Sequence, residues 1–558
     1  MRRRSEACRS AGWLCCGFEV NLGASAAFCM RKRAWGESAM RVIDLFDSGA
    51  RNYPHQLALT GAGGDLSYAE TWAFSNRIAR AMLADGVKPG TKFAALSPNS
   101  SLVLVAMLGA ARAGAAWCNI NLRAAVDANV DILRRGRCEV LFFHSSVADL
   151  VPVFTAAIPE LRRIVCLDSA DTPYPSLADW VAGQPEGRLD YHVPVTSLGI
   201  QGSTGGTTGA PKLTQASNEW LAMSTLAWAT CWHFESPPVN VAMTPVTHAA
   251  GCIALAQLQF GGATVFMETP DLDLLLDIIE NRHATTLFLP PTLVYALLAH
   301  PRLDDTDTSS LRYLISAAAP IAPEKLAEGV ERLGPVMCQA YGQTEAGFPL
   351  TWMSPAEVTA AVRDDARRAM LQSCGRPTLI CEALEAMGDD GQLLPAGETG
   401  EIVLRGPTVM LEYLDDPVAT AEVQAHGWHH TGDIGRREAD GYVYITDRKR
   451  DMVVSGGFNI FPFEIEQVLL AHPAIQDCAV IAVPDPKWGE AVKACVELKP
   501  SATATEAELI AICKQALGSM KAPKSVDFVD SLPRSPVGKV LKRVLREPYW
   551  VGQTRQVG

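Results

Sequence analysis

From about residue 41 onward, short apolar runs alternate with longer segments whose apolar residues recur at helical spacing. Lys92–Leu96 and Thr286–Leu289 are typical of buried strands, whereas Thr71–Leu83 and Leu272–Asn281 are typical of amphipathic helices. Strands that alternate with helices of roughly 10–15 residues indicate sheets covered by helices. The sequence therefore predicts an α/β protein.

The pattern changes after residue 391. Gly391–Gly400 is rich in Gly and predicts a loop, and Asp440-Gly441 between alternating runs predicts a hairpin. Beyond Asp451 the segments follow one another as helix, strand, strand, helix and strand. We expect a large N-terminal domain of layered α/β subdomains, followed by a small α+β domain of about 100 residues.

Composition excludes several classes of protein. The 558 residues carry a net charge of -12, and no long basic stretch offers a face for nucleic acid. The 15 Cys include no Cys-x-x-Cys pair, which argues against zinc ribbons and redox dithiols. Scattered free thiols suit a reducing compartment, so we expect a cytoplasmic protein. No apolar run reaches the roughly 18–20 residues of a membrane span.

Residues 1–40 differ from the rest of the chain. They contain Arg2-Arg3-Arg4, Arg31-Lys32-Arg33 and several Cys, and Arg-rich, acid-poor composition is typical of a transit peptide. The alternative is a disordered extension that results from an upstream start codon, since regular patterning begins only after Met40. We favour the disordered extension.

A Gly-rich loop carries the strongest chemical signal. Its ten residues are Ser203, Thr204, Gly205, Gly206, Thr207, Thr208, Gly209, Ala210, Pro211 and Lys212. Glycines let backbone N–H groups converge on phosphate oxygens, while the hydroxyls and the Lys add donors and charge. A Walker A loop would end in Gly-Lys-Ser/Thr and open a helix, whereas here Pro211 precedes Lys212 and Leu213 follows it. We interpret the segment as a phosphate loop of another type.

Three further motifs are weak when taken singly. Tyr341-Gly342-Gln343-Thr344-Glu345 offers an aromatic face, a hydroxyl and an oxygen ligand for Mg²⁺. Thr431-Gly432-Asp433 offers a carboxylate for ribose hydroxyls, although such a triplet is also a common turn. Gly538-Lys539 follows Pro533–Val537 in a loop that could carry a lysine to a distant site.

In this order the motifs resemble the adenylate-forming superfamily of acyl-CoA synthetases, peptide-synthetase adenylation domains and beetle luciferases. The resemblance covers roughly residues 41–548 and includes Gly400-Glu401, Arg405-Gly406-Pro407 and Pro245-Val246-Thr247-His248. Ser316–Pro320 matches the adenine-side segment, but Ala317 and Ala318 stand where Gly is usual, and Asp447 replaces a common Gly.

The resemblance implies acyl-AMP formation from ATP and a carboxylic acid, followed by attack of a thiol. It implies catalytic roles for Lys539, Thr344, Glu345 and His248, with Mg²⁺ on Glu345. It also implies that ATP and CoA contact the phosphate loop and a further set of residues, namely Ala318, Ala319, Tyr341, Gly342, Thr344, Asp433, Arg448, Lys539, Gly456 and Gly457.

The resemblance also implies a division of the chain. We expect an extension at 1–40, an AMP- and acid-binding domain at 41–447, a hinge at 448–451 with Arg450 at its centre, and a mobile C-terminal domain at 452–558 that carries Lys539. Rotation of that domain would withdraw Lys539 after acyl-AMP forms.

The acid and its acceptor are less constrained. Ala249–Cys252 after His248 contains no Asp to pair an amino group, and Met243–Gln259 is largely apolar, which favours a fatty or other apolar acid over an amino acid. We expect CoA as the acceptor, with a separate carrier protein or an aryl acid as alternatives. Luciferase-like oxidation has no specific support, and intact Lys212, Glu345 and Lys539 argue against an inactive homologue. We expect a monomer or a homodimer.

Overall fold

The structure is a computed structural model that describes residues 40–204, 211–455, 458–535 and 539–551. The predicted extension up to residue 39, the centre of the phosphate loop at 205–210, the pair Gly456-Gly457 and Gly538 lie outside the described residues. Within these ranges we find no helix whose length and apolar character would let it cross a bilayer.

The strands alternate with helices through most of the chain. The strands are β1 Leu57–Gly61, β2 Leu66–Ser67, β3 Lys92–Leu96, β4 Ala116–Cys118, β5 Val140–Phe143, β6 Arg163–Cys166, β7 Leu198–Ser203, β8 Leu213–Ser217, β9 Val239–Ala242, β10 Ala263–Phe266, β11 Thr286–Leu289, β12 Tyr313–Ser316, β13 Met337–Gln343, β14 Gly347–Met353, β15 Arg376–Pro377, β16 Ala383–Met387, β17 Gly400–Arg405, β18 Glu412–Tyr413, β19 His429–Arg437, β20 Val443–Arg448, β21 Val453–Ser455, β22 Phe458–Ile460, β23 Ile475–Asp485, β24 Gly489–Leu498 and β25 Ser525–Phe528.

The α-helices cover the sheets. They are α1 Val42–Asn52, α2 Tyr68–Ala84, α3 Ser101–Ala113, α4 Val126–Arg135, α5 Val151–Ala157, α6 Leu177–Trp180, α7 Asn218–Cys231, α8 Ala249–Gln257, α9 Leu272–Arg282, α10 Pro291–Leu298, α11 Pro323–Leu333, α12 Pro355–Arg363, α13 Pro417–Val423, α14 Pro462–Leu470, α15 Glu506–Lys521 and α16 Lys542–Arg546.

Two largely parallel sheets form the framework of the larger part of the chain. The first has the order β15-β14-β13-β12-β11-β9-β10-β1-β2, and β1 and β9–β13 run parallel. The second has the order β18-β8-β7-β4-β3-β5-β6, with β8 antiparallel to both β7 and the edge strand β18. Both are rich in buried Val, Leu, Ile and Phe, as expected of parallel strands covered on both faces.

Two smaller sheets follow. The antiparallel sheet β16-β17-β19-β20 ends at Arg448, and its last two strands are joined by the turn that contains Asp440-Gly441. The last sheet has the order β22-β21-β24-β23 with β25 beside β24, and α14 and α15 pack on it around Ile465, Leu469 and Leu509. This arrangement is the α+β unit that the sequence predicts after Asp451.

Side-chain caps fix several helix ends near these sheets. Ser67 begins α2 with a capping box, since its hydroxyl accepts from the backbone of Glu70 and the Glu70 carboxylate accepts in return from the Ser67 backbone. Ser217 similarly caps α7 at the end of β8, where its hydroxyl accepts from Trp220 N. Such caps satisfy backbone donors that would otherwise lack partners, so β8 passes directly into a stable helix.

Candidate active site

The phosphate loop connects two antiparallel strands. It leaves β7 at Ser203 and enters β8 after Lys212, and Thr204 N donates to Lys212 O at 2.9 Å. Ser203 pairs with Leu213 in the ladder, so the ladder and this hydrogen bond hold the two ends of the loop together. A strand follows Lys212, whereas a helix follows a Walker A loop, which agrees with the interpretation drawn from Pro211.

Thr344 lies against the start of this loop. A Cβ added to Gly202 would overlap with Cγ2 of Thr344 and approach Thr214 Oγ1, so Gly202 permits the close approach of the two segments. Gly202 N donates to Thr214 Oγ1 at 3.2 Å, which fixes the end of β7. The structure thus brings the Tyr341–Glu345 motif to the phosphate loop, although about 140 residues separate them in the chain.

Asp433 is the centre of a buried hydrogen-bonded group. Its side chain accepts from Tyr341 Oη at 2.5 Å and from Arg448 Nε at 2.6 Å. Asp433 and Arg448 face each other across the β19–β20 ladder, so strand register brings these two motifs together. Asp433 is 2% exposed, and the guanidinium offsets the cost of burying its charge.

The same group changes the titration of its neighbours. Burial, and next the negative charge of Asp433, raise the pKa of Tyr341 well above its ordinary value. The charge of Asp433 raises the pKa of Arg448. Tyr341 therefore remains a neutral donor and Arg448 a cation, and each Asp433 oxygen keeps a lone pair for a further hydroxyl donor.

Glu345 is oriented by a residue that the sequence did not single out. Tyr413 Oη donates to Glu345 Oε1 at 3.1 Å, and the Lys212 ammonium lies 4.9 Å from the centre of the Tyr413 ring. Met410 N also donates to the backbone carbonyl of Glu345 at 2.7 Å. Tyr413 thereby connects the cation at the end of the phosphate loop with the carboxylate of the Tyr341–Glu345 motif.

Lys539, in the C-terminal part of the chain, lies near Asp433, Arg448 and Glu345. We call the region that these four residues share the cleft. Burial lowers the pKa of Lys539 to about 8, and Arg448 and Arg450 lower it further, whereas Asp433 and Glu345 act in the opposite direction. All four residues are therefore close enough to Lys539 to interact with its charge. Lys539 is nevertheless exposed to solvent, so water screens these charges in part.

His248 and the adenine-side segment each lie at the end of a secondary-structure element. His248 begins α8, its Nδ1 lies 3.1 Å from Thr247 Oγ1, and burial lowers its pKa to about 4, so the imidazole is neutral. Ala318 follows β12 with φ of 73°, a left-handed conformation that Gly adopts at less cost. Ala318 and Ala319 are both exposed at the end of β12.

Two acidic residues, Glu401 and Asp447, make hydrogen bonds next to Asp433 and Arg448, and the sequence predicts no role for either. Burial alone would raise the pKa of Glu401, but the His430 hydrogen bond and the charge of Lys449 lower it to about 2. Glu401 Oε1 also accepts from Gly432 N at 3.1 Å, next to Asp433.

Asp447 is the second of these residues. It accepts from Phe463 N at 2.9 Å, and burial raises its pKa to about 6. Its hydrogen bond joins the end of β20 to the start of α14. In the sequence, the Gly400-Glu401 and Asp447-Arg448 motifs are the only signal for these two residues. Their hydrogen-bond partners depend on the fold and cannot be predicted from the motifs.

Most of the chain matches the models of one known enzyme family. Residues 46–414 match the model of the AMP-binding enzyme family. The chain belongs to the AMP-binding enzyme family. Residues 464–539 match the C-terminal domain of the same family, which includes the position of Lys539.

Characterised AMP-binding enzymes resemble the chain over most of its length. The medium/long-chain-fatty-acid–CoA ligase FadD8 of Mycobacterium tuberculosis is 39% identical over 408 residues, which are 72% of this chain and 69% of the relative. Feruloyl-CoA synthase of an Amycolatopsis species is 34% identical over 507 residues, 90% of this chain and 97% of the relative. The structure of the amide bond synthetase McbA from Marinactinospora thermotolerans has a TM-score of 0.82 at 30% identity and covers 91% of this chain and 99% of its own.

These matches confirm the resemblance and the α/β fold class drawn from the sequence. The chain is an AMP-forming acid–thiol ligase of the adenylate-forming CoA ligase type. Adenylate-forming enzymes of this type use ATP and CoA.

Proposed function

We propose that the enzyme activates an apolar carboxylic acid with ATP and transfers the acyl group to CoA. One observation carries the proposal: the fold brings Thr344 to the start of the phosphate loop and joins Tyr341, Asp433 and Arg448 in one hydrogen-bonded group. Lys539 lies near enough for the charges of Asp433, Arg448 and Glu345 to affect its pKa. These residues come from four separate segments, and each supplies a group that acyl-AMP formation needs.

The first half-reaction joins two anions. A carboxylate oxygen forms a bond to the α-phosphorus of ATP, the bond to the bridging oxygen breaks, and pyrophosphate leaves. Lys539 would contact both the acid and the α-phosphate, and Thr344 would donate to the α-phosphate. A cation fixed at the position where charge develops contributes on the order of 10²–10³ to the rate.

The nucleoside would be held by the Asp433 group. The lone pairs that remain on Asp433 would accept from the ribose hydroxyls, while the ion pair with Arg448 orients the carboxylate. The ring of Tyr341 and the backbone of Ala318-Ala319 would flank the adenine. The hydrogen bond from Tyr341 orients the Asp433 carboxylate.

Glu345 is suited to hold Mg²⁺ together with substrate phosphates. Its carboxylate is oriented by Tyr413, and the ion prefers one or two carboxylates plus phosphate oxygens. Among the described residues no three His, Cys, Asp or Glu side chains gather as a ligand set, so the phosphates would supply most of the coordination. When bound, the ion would screen the phosphate charges.

The second half-reaction requires a different arrangement of the chain. We assign residues 41–447 to an AMP- and acid-binding domain, 448–451 to a hinge and 452–558 to a mobile domain. The thiol sulfur would bond to the acyl carbon and AMP would leave, with Gly456-Gly457 beside the pantetheine arm. Asp447 lies at this boundary, and its hydrogen bond from Phe463 N crosses the proposed hinge.

The acid pocket would lie between α7, α8 and β14. Aromatic rings concentrate there, and Phe348 packs edge-on against Trp228 at 4.9 Å and Phe288 at 5.9 Å between centroids. Phe348 also contacts the backbone region of Gly342, next to Tyr341. This apolar, ring-lined region supports a fatty or aryl acid, and the relatives named for fatty-acid and feruloyl substrates support the same range.

The proposal is tested by a screen of pyrophosphate release. The purified enzyme would be mixed with ATP and Mg²⁺ and with fatty, aryl and amino acids, each with and without CoA. We expect release with apolar acids and acyl-CoA formation when CoA is present. Release with acid alone and no thioester from CoA would favour a carrier protein as the acceptor, and the absence of release with every acid would contradict the proposal.

A further inference from the structure

A cation-lined cavity adjoins the phosphate loop. It has a volume of about 550 Å³ and is lined by Arg134, Arg135, Arg137, Lys212, Leu213 and Tyr413, among others. We call it the arginine cavity. Four cations around one cavity stand out in a chain whose net charge is -12. Apart from Lys212, none of these residues belongs to a motif that the proposed function uses.

The arginines are fixed at the end of α4. Arg135 Nε pairs with Asp131 at 2.8 Å, while its Nη2 donates to the carbonyl of Pro211 at 2.8 Å. Arg135 therefore connects the end of α4 to Pro211, near the end of the phosphate loop. Arg134 also contacts Asp131, at 3.2 Å, but more than half of its side chain remains exposed.

Carboxylates also face the cavity, and two of them are already engaged. Asp415 pairs with Arg137 at 2.9 Å, and Asp416 accepts from Ala419 N at 3.0 Å as the cap of α13. Glu160 is the third lining carboxylate. Asp131, which pairs with Arg134 and Arg135, balances the fourth cation. Recognition of an anion would therefore rest on the guanidinium groups, which bind phosphate oxygens through two parallel N–H donors.

Two lining residues connect the cavity with the phosphate side of the active site. The Lys212 ammonium lies over the Tyr413 ring, and Tyr413 Oη donates to Glu345. The cavity thus begins where the β- and γ-phosphates of ATP would be held. None of its lining residues lies beyond Asp416, whereas the proposed path of CoA runs beside residues 455–457.

We propose that the arginine cavity binds inorganic pyrophosphate as it leaves the active site. The inference rests on the proposed function, since pyrophosphate is released only if the carboxylate attacks the α-phosphorus. The phosphates of CoA share the same chemistry and are the other source of such an anion. The position of the cavity beside Lys212 and Glu345 favours pyrophosphate.

The test compares inhibition by pyrophosphate in variants with fewer cavity cations. Arg134→Gln and Arg137→Gln, singly and together, change exposed side chains, so we expect the fold to be retained. Arg302→Gln is the matched control, because Arg302 is an exposed arginine paired with two carboxylates outside the cavity. Thioester formation would be followed without pyrophosphatase, and the inhibition constant of added pyrophosphate and the KM for CoA would be measured.

The proposal predicts that the double variant raises the inhibition constant of pyrophosphate about fivefold or more. The KM for CoA would stay within about twofold of the wild type, as would both constants in Arg302→Gln. An unchanged inhibition constant would overturn the proposal, and a raised KM for CoA in that case would assign the cavity to CoA. If wild-type enzyme releases no pyrophosphate with any acid, the proposed function itself fails, which is a separate result.

Discussion

At the scale of single residues, the cleft depends on close approach and on charge. Gly202 leaves room for the methyl group of Thr344, and Asp433 accepts from Tyr341 and pairs with Arg448. Removing one partner from a buried charged group costs more than the interaction itself contributes, because the remaining charge stays buried. Small substitutions at these positions should therefore affect activity far more than their size suggests.

We predict that Gly202→Ala displaces Thr344 and lowers the rate of pyrophosphate release roughly 10²-fold, since a misplacement of about 1 Å has that effect on an oriented group. The double variant Gly202→Ala/Thr344→Ser removes the overlapping methyl group but keeps the hydroxyl. It should recover much of the rate. If the single variant has wild-type kinetics, Thr344 does not act from the position that the structure gives it.

We also predict a pH dependence that originates at Lys539. Its pKa is lowered to about 8, so the free enzyme loses this proton at lower pH than an ordinary lysine would. Since the ammonium form is needed, kcat/KM for ATP in pyrophosphate release should fall as pH rises through about 8. The Lys539→Arg variant should be slower, but its kcat/KM should stay constant up to a pH of about 10. A wild-type profile that is flat over the same range would contradict the assignment.

The residue types of the cleft could be predicted, but their contacts could not. Lys212, Glu345, Asp433 and Lys539 stand in motifs whose order in the chain carries information. Tyr413 and Arg135 stand in no motif, because their roles arise from the side-by-side position of β18, α4 and the phosphate loop. Their partners lie 68 and 76 residues away in the chain.

At the scale of elements, the spacing of apolar residues predicts where helices and strands lie. The residues at which they end depend on the elements that pack or pair beside them. β3 and β11 have the bounds that their apolar runs predict. β13 runs on through Tyr341 to Gln343, and β19 begins at His429 and includes Thr431–Asp433, where the sequence also suits a turn. Antiparallel pairing with β14, β17 and β20 extends these strands, and local sequence does not reveal such pairing.

The packing of α2 on α3 offers a prediction about stability. A Cβ on Gly109 of α3 would overlap with Ile78 of α2, and both residues are fully buried. We expect Gly109→Ala to lower the free energy of unfolding by about 1–3 kcal/mol, as overpacking does. Gly187→Ala is the control, since a Cβ there meets nothing within 4 Å. Equal midpoints of urea unfolding for the two variants would contradict the described packing.

At the scale of the whole molecule, the two half-reactions of the proposed mechanism require two arrangements of one chain. In the described structure Lys539 reaches the cleft, which suits acyl-AMP formation. The hydrogen bond of Asp447 to Phe463 and the ion pair of Lys449 with Glu401 hold the proposed hinge in this arrangement. The sequence could indicate a separate C-terminal unit, but the contacts that orient it depend on the folded structure.

We predict that Arg450→Pro restricts rotation at the hinge, because the ring fixes φ and removes a backbone donor. One half-reaction should then persist and the other should fall on the order of 10²-fold or more. Pyrophosphate release with acid and ATP, and thioester formation from supplied acyl-AMP and CoA, measure the two steps separately. Wild-type rates in both steps would reject Arg450 as the hinge.

The most direct test of the account is to measure both half-reactions of Lys539→Ala. Removal of the cation should lower acid-dependent pyrophosphate release on the order of 10²–10³-fold. Thioester formation from supplied acyl-AMP and CoA should stay within about threefold of the wild type, because Lys539 would be outside the cleft in that step. Equal loss of both half-reactions would contradict the assignment of Lys539 to the first step alone.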